Sequence, residues 1–387
     1  MGATLLVSAG EASGDLYASL LVEALRQRRP DLSFAGCAGP RMQKAGVTPV
    51  VDASALAVVG IVEVVSHLPR IWREYRKLLA WARRERPVAA ILTDSPDFHL
   101  RLARKLKAMG IPVIGLVAPQ VWAWRKGRLP MMRRTLDRLL CIFPFEQKFF
   151  AEHGMDAVFI GHPLAGIVRG SAPVAALRER FNVPAGAPVI ALLPGSRTGE
   201  AVRHLPYLLD AAEQIRCRQP GAHFLLALAP GFAWRGAAGK FRERFSAASI
   251  KEFEGQTWDV LACADVALAA SGTVTVEAAL LGTPMVTFYR VTGLSWFLGR
   301  WLVRVPFFSM VNLIAGRRVV PEIMQNDLTG ERLAGEALRL LDNPDARSAM
   351  RADLDEVARK LAWSGHPMEI AASIVESYLD KELAHVS

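Results

Sequence analysis

Cysteine is scarce. The four in 387 residues are Cys37, Cys141, Cys217 and Cys263; they form no Cys-x-x-Cys pair and have no spaced histidine pair nearby. This excludes a zinc framework and leaves buried free thiols in a reducing cytosol as the expectation. The opening stretch MGATLLVSAGEASGD has no basic leader and no long apolar core, so it reads as a first buried strand and not as a signal peptide. An uninterrupted run of ~20 apolar residues is missing as well. Residues 266–288 carry one charge but are broken by Ser, Gly, Thr and Pro, and residues 294–314 are broken by Arg300 and Arg304. No transmembrane helix is expected. Acidic residues are the minority, 37 against 47 basic ones, for a net charge of +10 and a pI of about 9.8. Such a balance suits an anionic partner: nucleic acid, an acidic membrane surface or a phosphorylated substrate.

What is present is a globular chain, 51% hydrophobic and 22% charged, long enough for two cores. Short apolar runs alternate with helical patterns: TLLVSAG, then a helix from about Gly14 to Arg28, SFAGCAG, AAILTDSPDF, a helix from about Phe98 to Met109, IPVIGLVAPQ and RLLCIFPFE. Residues 161–173 are rich in Gly, Pro and Ser and read as a linker. The pattern then restarts with PVIALLPGSR, HFLLALAP, SIKEFEG, VALAAS and PMVTFYR, and residues 331–383 are helical with breaks at Asn343–Pro344 and Gly365–Pro367. The fold class is therefore α/β, with two tandem Rossmann-like domains, residues 1–165 and 174–387, and a helical C-terminus that packs within the second domain, back on the first or on a partner subunit. Ligands of such sheets bind outside the carboxyl ends of the strands, so a cleft lined by the loops of both domains is expected.

Four strand-end loops carry candidate chemistry. In GEASGD, residues 10–15, two glycines permit a tight turn toward a ligand; Glu11 reads either as a proton acceptor or sugar ligand, or as part of a plain strand–helix turn. The loop is not Gly-x-Gly-x-x-Gly and does not call for a dinucleotide. In TDSPDF, Asp94 closes a buried strand, where a general base would stand, although aspartate is also an ordinary turn residue. In PGSR, Gly195 and Ser196 offer donors and Arg197 can clamp a pyrophosphate with two parallel bonds; the alternative is a solvated turn arginine. In SGTVTVE, Ser271, Gly272 and Thr273 form a second phosphate cradle, and Glu277 would suit the paired hydroxyls of a ribose. Two acidic loops in the first half and two phosphate-type loops in the second divide acceptor from activated diphosphate donor.

A greasy basic surface accompanies them. Leu68, Ile71, Trp72, Tyr75, Leu78, Leu79 and Ala82 recur at helical spacing, flanked by Arg70, Arg73, Arg76, Lys77, Arg83, Arg84 and Arg86. Such a helix lies in a headgroup layer or packs on the sheet as an ordinary surface helix. Trp296 and Trp301 sit beside Arg300 and Arg304, and Trp122 and Trp124 follow a strand of the first half; these read as acyl or membrane contacts, or as core.

The ordered motifs AGEASGD, AGPRM, GIVEV, DSPDF, APQVWAWR, FPFE, IGHP, LLPGSR, ASGT with Glu277, and NLIAGR followed by PEIMQ run from about residue 5 to 328. Together they resemble the lipid-A-disaccharide synthase family, inverting glycosyltransferases of the glycosyltransferase B fold. The resemblance implies transfer from UDP-2,3-diacylglucosamine to 2,3-diacylglucosamine 1-phosphate, giving the β-1,6-linked disaccharide 1-phosphate and UDP, with no metal and no cofactor. It implies Asp94 as general base or acceptor-orienting group, Glu11 as its acidic companion, Arg197 against the UDP charge, and Glu277, Asn312 and Gln325 on the nucleotide side. Val311 stands where the family commonly has proline. The acylated substrates imply a cytoplasmic protein peripheral on the inner face of the cytoplasmic membrane, and the family implies a homodimer. Rival readings are another UDP-hexosamine transferase or epimerase of this fold, a non-catalytic membrane-surface protein, and a basic nucleic-acid-binding protein. The last is disfavoured because no nucleic-acid motif is present and the arginines cluster with aliphatics.

Overall fold

The structure is a computed structural model that describes residues 3–53, 61–234, 236, 238–293, 305–362 and 365–386; for 61–68 and 381–386 only the backbone is described. Trp296 and Trp301 lie outside the described residues, as does the side chain of Leu68. Contacts divide the chain into two compact units, residues 1–166 with 361–387, and residues 167–360.

The first unit runs β1 (Thr4–Ser8), α1 (Ala12–Arg28), β2 (Ser33–Ala38), α2 (Pro40–Lys44), β3 (Val47–Asp52), α3 (Ile61–Glu85), β4 (Ala89–Thr93), α4 (Pro96–Lys107), β5 (Val113–Leu116), α5 (Leu129–Thr135), β6 (Arg138–Cys141), α6 (Pro144–Glu152) and β7 (Ala157–Phe159). All strands are parallel, in the order β3-β2-β1-β4-β5-β6-β7. Leu5, Leu6, Val7 and the whole of β4 are buried, because helices cover both faces and the strands are accordingly apolar save at their carboxyl ends, Ser8 and Thr93. Strand succession reverses between β1 and β4, whose Ser8 and Leu92 pair at their carboxyl ends. That reversal opens the crevice in which sheets of this kind bind ligands.

The second unit repeats the plan with α7 (Val174–Arg180), β8 (Val189–Leu193), α8 (Thr198–Arg218), β9 (His223–Leu228), α9 (Gly239–Ala247), β10 (Lys251–Glu254), α10 (Thr257–Cys263), β11 (Val266–Ala270), α11 (Thr273–Leu280), β12 (Met285–Tyr289) and β13 (Glu322–Met324). Its parallel order is β10-β9-β8-β11-β12-β13, so the reversal falls between β8 and β11. Helices Gly330–Asp342 and Pro344–Leu361 follow, broken at Asn343, and Pro367–Val386 closes the chain after Gly365. The tandem Rossmann-like fold is thus the observed one.

Three strands escape the sequence reading. β3 is an edge strand holding Pro49 and several exposed positions, and β7 and β13 are three-residue edges. Such strands bury too little to leave a continuous apolar run. The basic helix α3 packs on the sheet: Tyr75, Leu78, Leu79 and Ala82 are buried in the first core, whereas Trp72 is 57% exposed, its ring stacked on Tyr75 at 5.3 Å. Of the cysteines, Cys37, Cys141 and Cys263 are buried as free thiols; Cys217 is exposed, a correction to the expectation, because it lies near the solvated end of α8.

Candidate active site

Asp94 follows β4 directly and sits at the reversal point of the first sheet. Its φ is +56° and that of Ser95 is +37°, two successive left-handed residues without glycine, a backbone that surrounding contacts must enforce. Those contacts are visible. The carboxylate accepts from Gly10 N at 2.8 Å and from Glu11 N at 3.0 Å, which ties the DSPDF turn to the GEASGD loop. A Cβ on Gly14 would stand 1.7 Å from Asp94 Oδ2, and one on Gly10 would stand 2.4 Å from Ser95 Oγ. The glycines of GEASGD therefore make room for the aspartate. Burial pushes the Asp94 carboxyl up to about 7, against the two backbone donors that favour its charge. Glu11 is exposed beside it, and its backbone N–H makes a link to Asp94.

Behind Asp94 stands His99, buried on α4. Its Nδ1 lies 2.9 Å from the Asp94 carbonyl oxygen, which can only accept, so Nδ1 carries the proton; Nε2 then accepts from the Ser8 hydroxyl at 2.8 Å. Burial drops its pKa to about 4, so it is a neutral brace. Asp15, also in the GEASGD motif, accepts from Arg41 N and Met42 N at the start of α2, which explains the pairing of that motif with AGPRM.

The loop after β5 carries the tryptophans. Trp122 is 8% exposed and its Nε1 donates to Glu146 Oε1 at 3.0 Å; Glu146, buried on α6, is pushed up to about 8 by that burial. Trp122 thus follows the core reading and corrects the acyl one, since its ring is buried against Phe145. Trp124 remains 39% exposed, with the Arg125 guanidinium 4.3 Å above its ring. Asp97, in the first turn of α4, receives Arg125 and Arg128 from the same loop.

In the second unit a cavity of about 240 Å³ opens at the reversal point, lined among others by Gly195, Ser196, Glu200, Ser271, Gly272, Thr273 and Glu277. The two phosphate-type loops are brought together there with the ribose candidate. Arg197 is the N-cap residue of α8, its carbonyl accepting from Glu200 N and Ala201 N. A Cβ on Gly195 would stand 2.8 Å from the Glu200 carboxyl carbon, whose pKa burial raises. His204 braces this loop: Arg290 N donates to its Nε2 at 3.1 Å, so Nδ1–H donates to the Pro194 carbonyl at 2.8 Å.

Asn312 and Gln325 stand differently from the sequence expectation. Asn312 has no exposed surface; Oδ1 accepts from Val319 N and Val320 N, and Nδ2 donates to Val320 O and Glu322 Oε1. Its amide is fully used within the unit, so it bears on a nucleotide only by holding residues 316–322. Gln325 is buried with φ +52° and bonds the backbone of Val291 through both amide atoms. His99, Glu200 and His204 were not singled out from sequence. Their signal was a polar residue on an otherwise apolar helix face, which sequence alone does not tell from an ordinary surface position.

Among the described residues no group of three or more His, Cys, Asp or Glu is placed to hold a metal, and no helix is long and apolar enough to cross a membrane. Comparison with known proteins then narrows the chemistry. In fold the chain is similar to UDP-GlcNAc 2-epimerase from Neisseria meningitidis bound to UDP-GlcNAc, at a TM-score of 0.64, 12% identity and 98% and 100% coverage of the two chains. It is also similar to the calicheamicin glycosyltransferase CalG4, at 0.60, 17% identity and 98% of each chain. Epimerases and transferases share this fold, so architecture does not separate them. Sequence does: the chain is 56% identical to a lipid-A-disaccharide synthase of Solibacter usitatus over 99% of both chains, and 42% identical to one of Myxococcus xanthus over 96% of this chain and 97% of that one. The lipid-A-disaccharide synthetase family model matches residues 5–370, a span that holds both reversal-point loops, and the chain accordingly belongs to the lipid-A-disaccharide synthase family of hexosyltransferases.

Proposed function

We propose that the chain transfers 2,3-diacylglucosamine from its UDP conjugate to the 6-hydroxyl of 2,3-diacylglucosamine 1-phosphate, with inversion. The observation that carries this reading is the Asp94 carboxylate, set at the reversal point by two backbone donors and raised to about 7. A base of that pKa is half ionised near neutral pH, where proton transfer to it is most effective. Asp94 takes the proton of the acceptor hydroxyl; the oxygen attacks the anomeric carbon from the face opposite UDP; the carbon–oxygen bond to UDP breaks, and its electron pair leaves on the β-phosphate. Arg197 offsets that charge, Gly195, Ser196, Ser271, Gly272 and Thr273 cradle the diphosphate, and Glu277 accepts from the ribose hydroxyls. Asn312 and Gln325 hold the neighbouring backbone.

The acyl chains of both substrates require work at a bilayer surface. Exposed Trp72 among Arg70, Arg73 and Arg76 supports a peripheral position on the anionic inner face of the cytoplasmic membrane. The direct test is mass spectrometry of products formed from diacylated and non-acylated UDP-glucosamine. Formation of the disaccharide 1-phosphate from the diacylated donor alone is expected; turnover of only the non-acylated donor would sink the assignment.

A further inference from the structure

We infer that Arg125 and Arg128 form the binding site for the phosphate of the acceptor, with Asp97 as an internal carboxylate that competes for the same guanidiniums. This rests on the acceptor assignment above and names the residues that would read the acceptor's phosphate. Arg125 Nη1 lies 3.1 and 3.3 Å from the two Asp97 oxygens, and Arg128 Nη2 bonds Oδ1. Two guanidiniums on one carboxylate leave one positive charge over. The carboxylate is 75% exposed while Arg128 is 14% exposed, so the anion faces solvent and part of its cationic seat is built into the protein. Exposed ion pairs are weak and exchange readily, and a phosphate dianion offers the same seat more charge and more acceptor oxygens.

Backbone and ring contacts shape the seat. Arg125 is left-handed, φ +59°, and its guanidinium stacks 4.3 Å above Trp124, a geometry that costs conformational energy and is kept in place by these contacts. Asp97 also lies in the first turn of the twelve-residue α4, where the helix dipole favours an anion. Spacing ties the seat to the base. Asp94 and Asp97 are three residues apart, which bounds their backbone separation at about 10 Å. On a glucosamine 1-phosphate the 6-hydroxyl and the phosphate flank the same ring oxygen, a separation that falls within that bound. A phosphate in this seat would set the acceptor's 6-hydroxyl toward the base.

The same chemistry could come from an anionic phospholipid headgroup, and the experiment separates the two. Turnover by UDP release is measured with the acylated acceptor carrying its 1-phosphate and with the same acceptor lacking it, for wild type, Arg125→Gln, Arg128→Gln and Asp97→Asn. Binding of each protein to phosphatidylglycerol vesicles is measured alongside. We expect each arginine variant to lose about ten- to a hundredfold of the kcat/KM preference for the phosphorylated acceptor, the scale of a lost charged hydrogen bond, with vesicle binding unchanged. Asp97→Asn, which removes the competing carboxylate, should raise that preference. Equal loss on both acceptors in all three variants overturns the site and leaves the pair as a loop brace. A change in vesicle binding with the preference intact overturns it in favour of a headgroup contact. If wild type turns over neither acceptor, the parent reading fails with it.

Discussion

The two units share a strand order and each seats one glycine against a carboxyl, Gly14 on Asp94 and Gly195 on Glu200, yet the second unit adds a glycine of another kind. In the first unit Gly10 and Gly14 abut the Asp94–Ser95 turn, so tightly that a methyl group on Gly14 would overlap the carboxylate. In the second unit a Cβ on Gly272 meets no atom within 4 Å, and the residue lines a cavity. The first loop pair closes around a carboxylate of the protein; the second seats a carboxyl too but opens on a cavity at Gly272. The histidine braces echo this. His99 holds the Asp94 carbonyl and His204 holds the Pro194 carbonyl, each buried, neutral and fixed in the Nδ1–H tautomer by an opposite partner. Similar devices thus hold the Asp94 turn in one unit and the Pro194–Arg197 loop in the other.

The strongest test of that contrast is Asp94→Asn. Turnover should fall by about 10²–10⁴-fold, the range for a lost general base, while calorimetric affinity for UDP stays at the wild-type value. Unchanged turnover would remove Asp94 from the role of base. The same group sets the pH profile. A base must be ionised to act, so kcat/KM should fall tenfold per pH unit below about 7 and level off above it. Residual Asp94→Asn activity should lose that limb.

Gly14→Ala should follow in size. The added methyl drives the carboxylate out of its seat, and turnover should drop by at least about tenfold with UDP affinity retained. Gly272→Ala should leave the melting temperature within about 2 °C, the scale of a near-neutral change; comparable damage in the two variants would erase the distinction drawn here.

Arg197→Ala should weaken UDP binding by about tenfold, the scale of one charge-assisted bond, with a smaller effect on acceptor KM. The mildest pair is His99→Phe and His204→Phe. Each should cost about 1–3 kcal/mol of stability by leaving buried partners unmatched. Their kinetic effects should separate, kcat for the first and UDP affinity for the second. Identical effects on both parameters would mean that the histidines serve stability alone.

Legibility from sequence followed burial. Strands covered on both faces, such as β1, β4, β8 and β11, appear as unbroken apolar runs, whereas edge strands β3, β7 and β13 do not. Loop residues were legible where local chemistry is distinctive: an aspartate after a buried strand, a Gly-Ser-Arg after another. Their neighbours were not. Asn312 looks like a ligand residue in NLIAGR, but its amide is consumed by the backbone of Val319 and Val320, contacts that arise only when the chain turns back on itself.

From the sequence alone came the α/β class, the tandem arrangement, the four loops and the family, because periodicity, strand-end composition and ordered motifs are local properties of the chain. Tertiary structure decided what those loops are packed against. The Asp94 carboxylate meets the Gly10 and Glu11 amides across 84 and 83 residues, and the brace from Ser8 to His99 spans 91. Hydrogen-bond partners, burial and the proton affinity they set depend on distances between segments far apart in the chain, and only the folded sheet brings those segments to one edge.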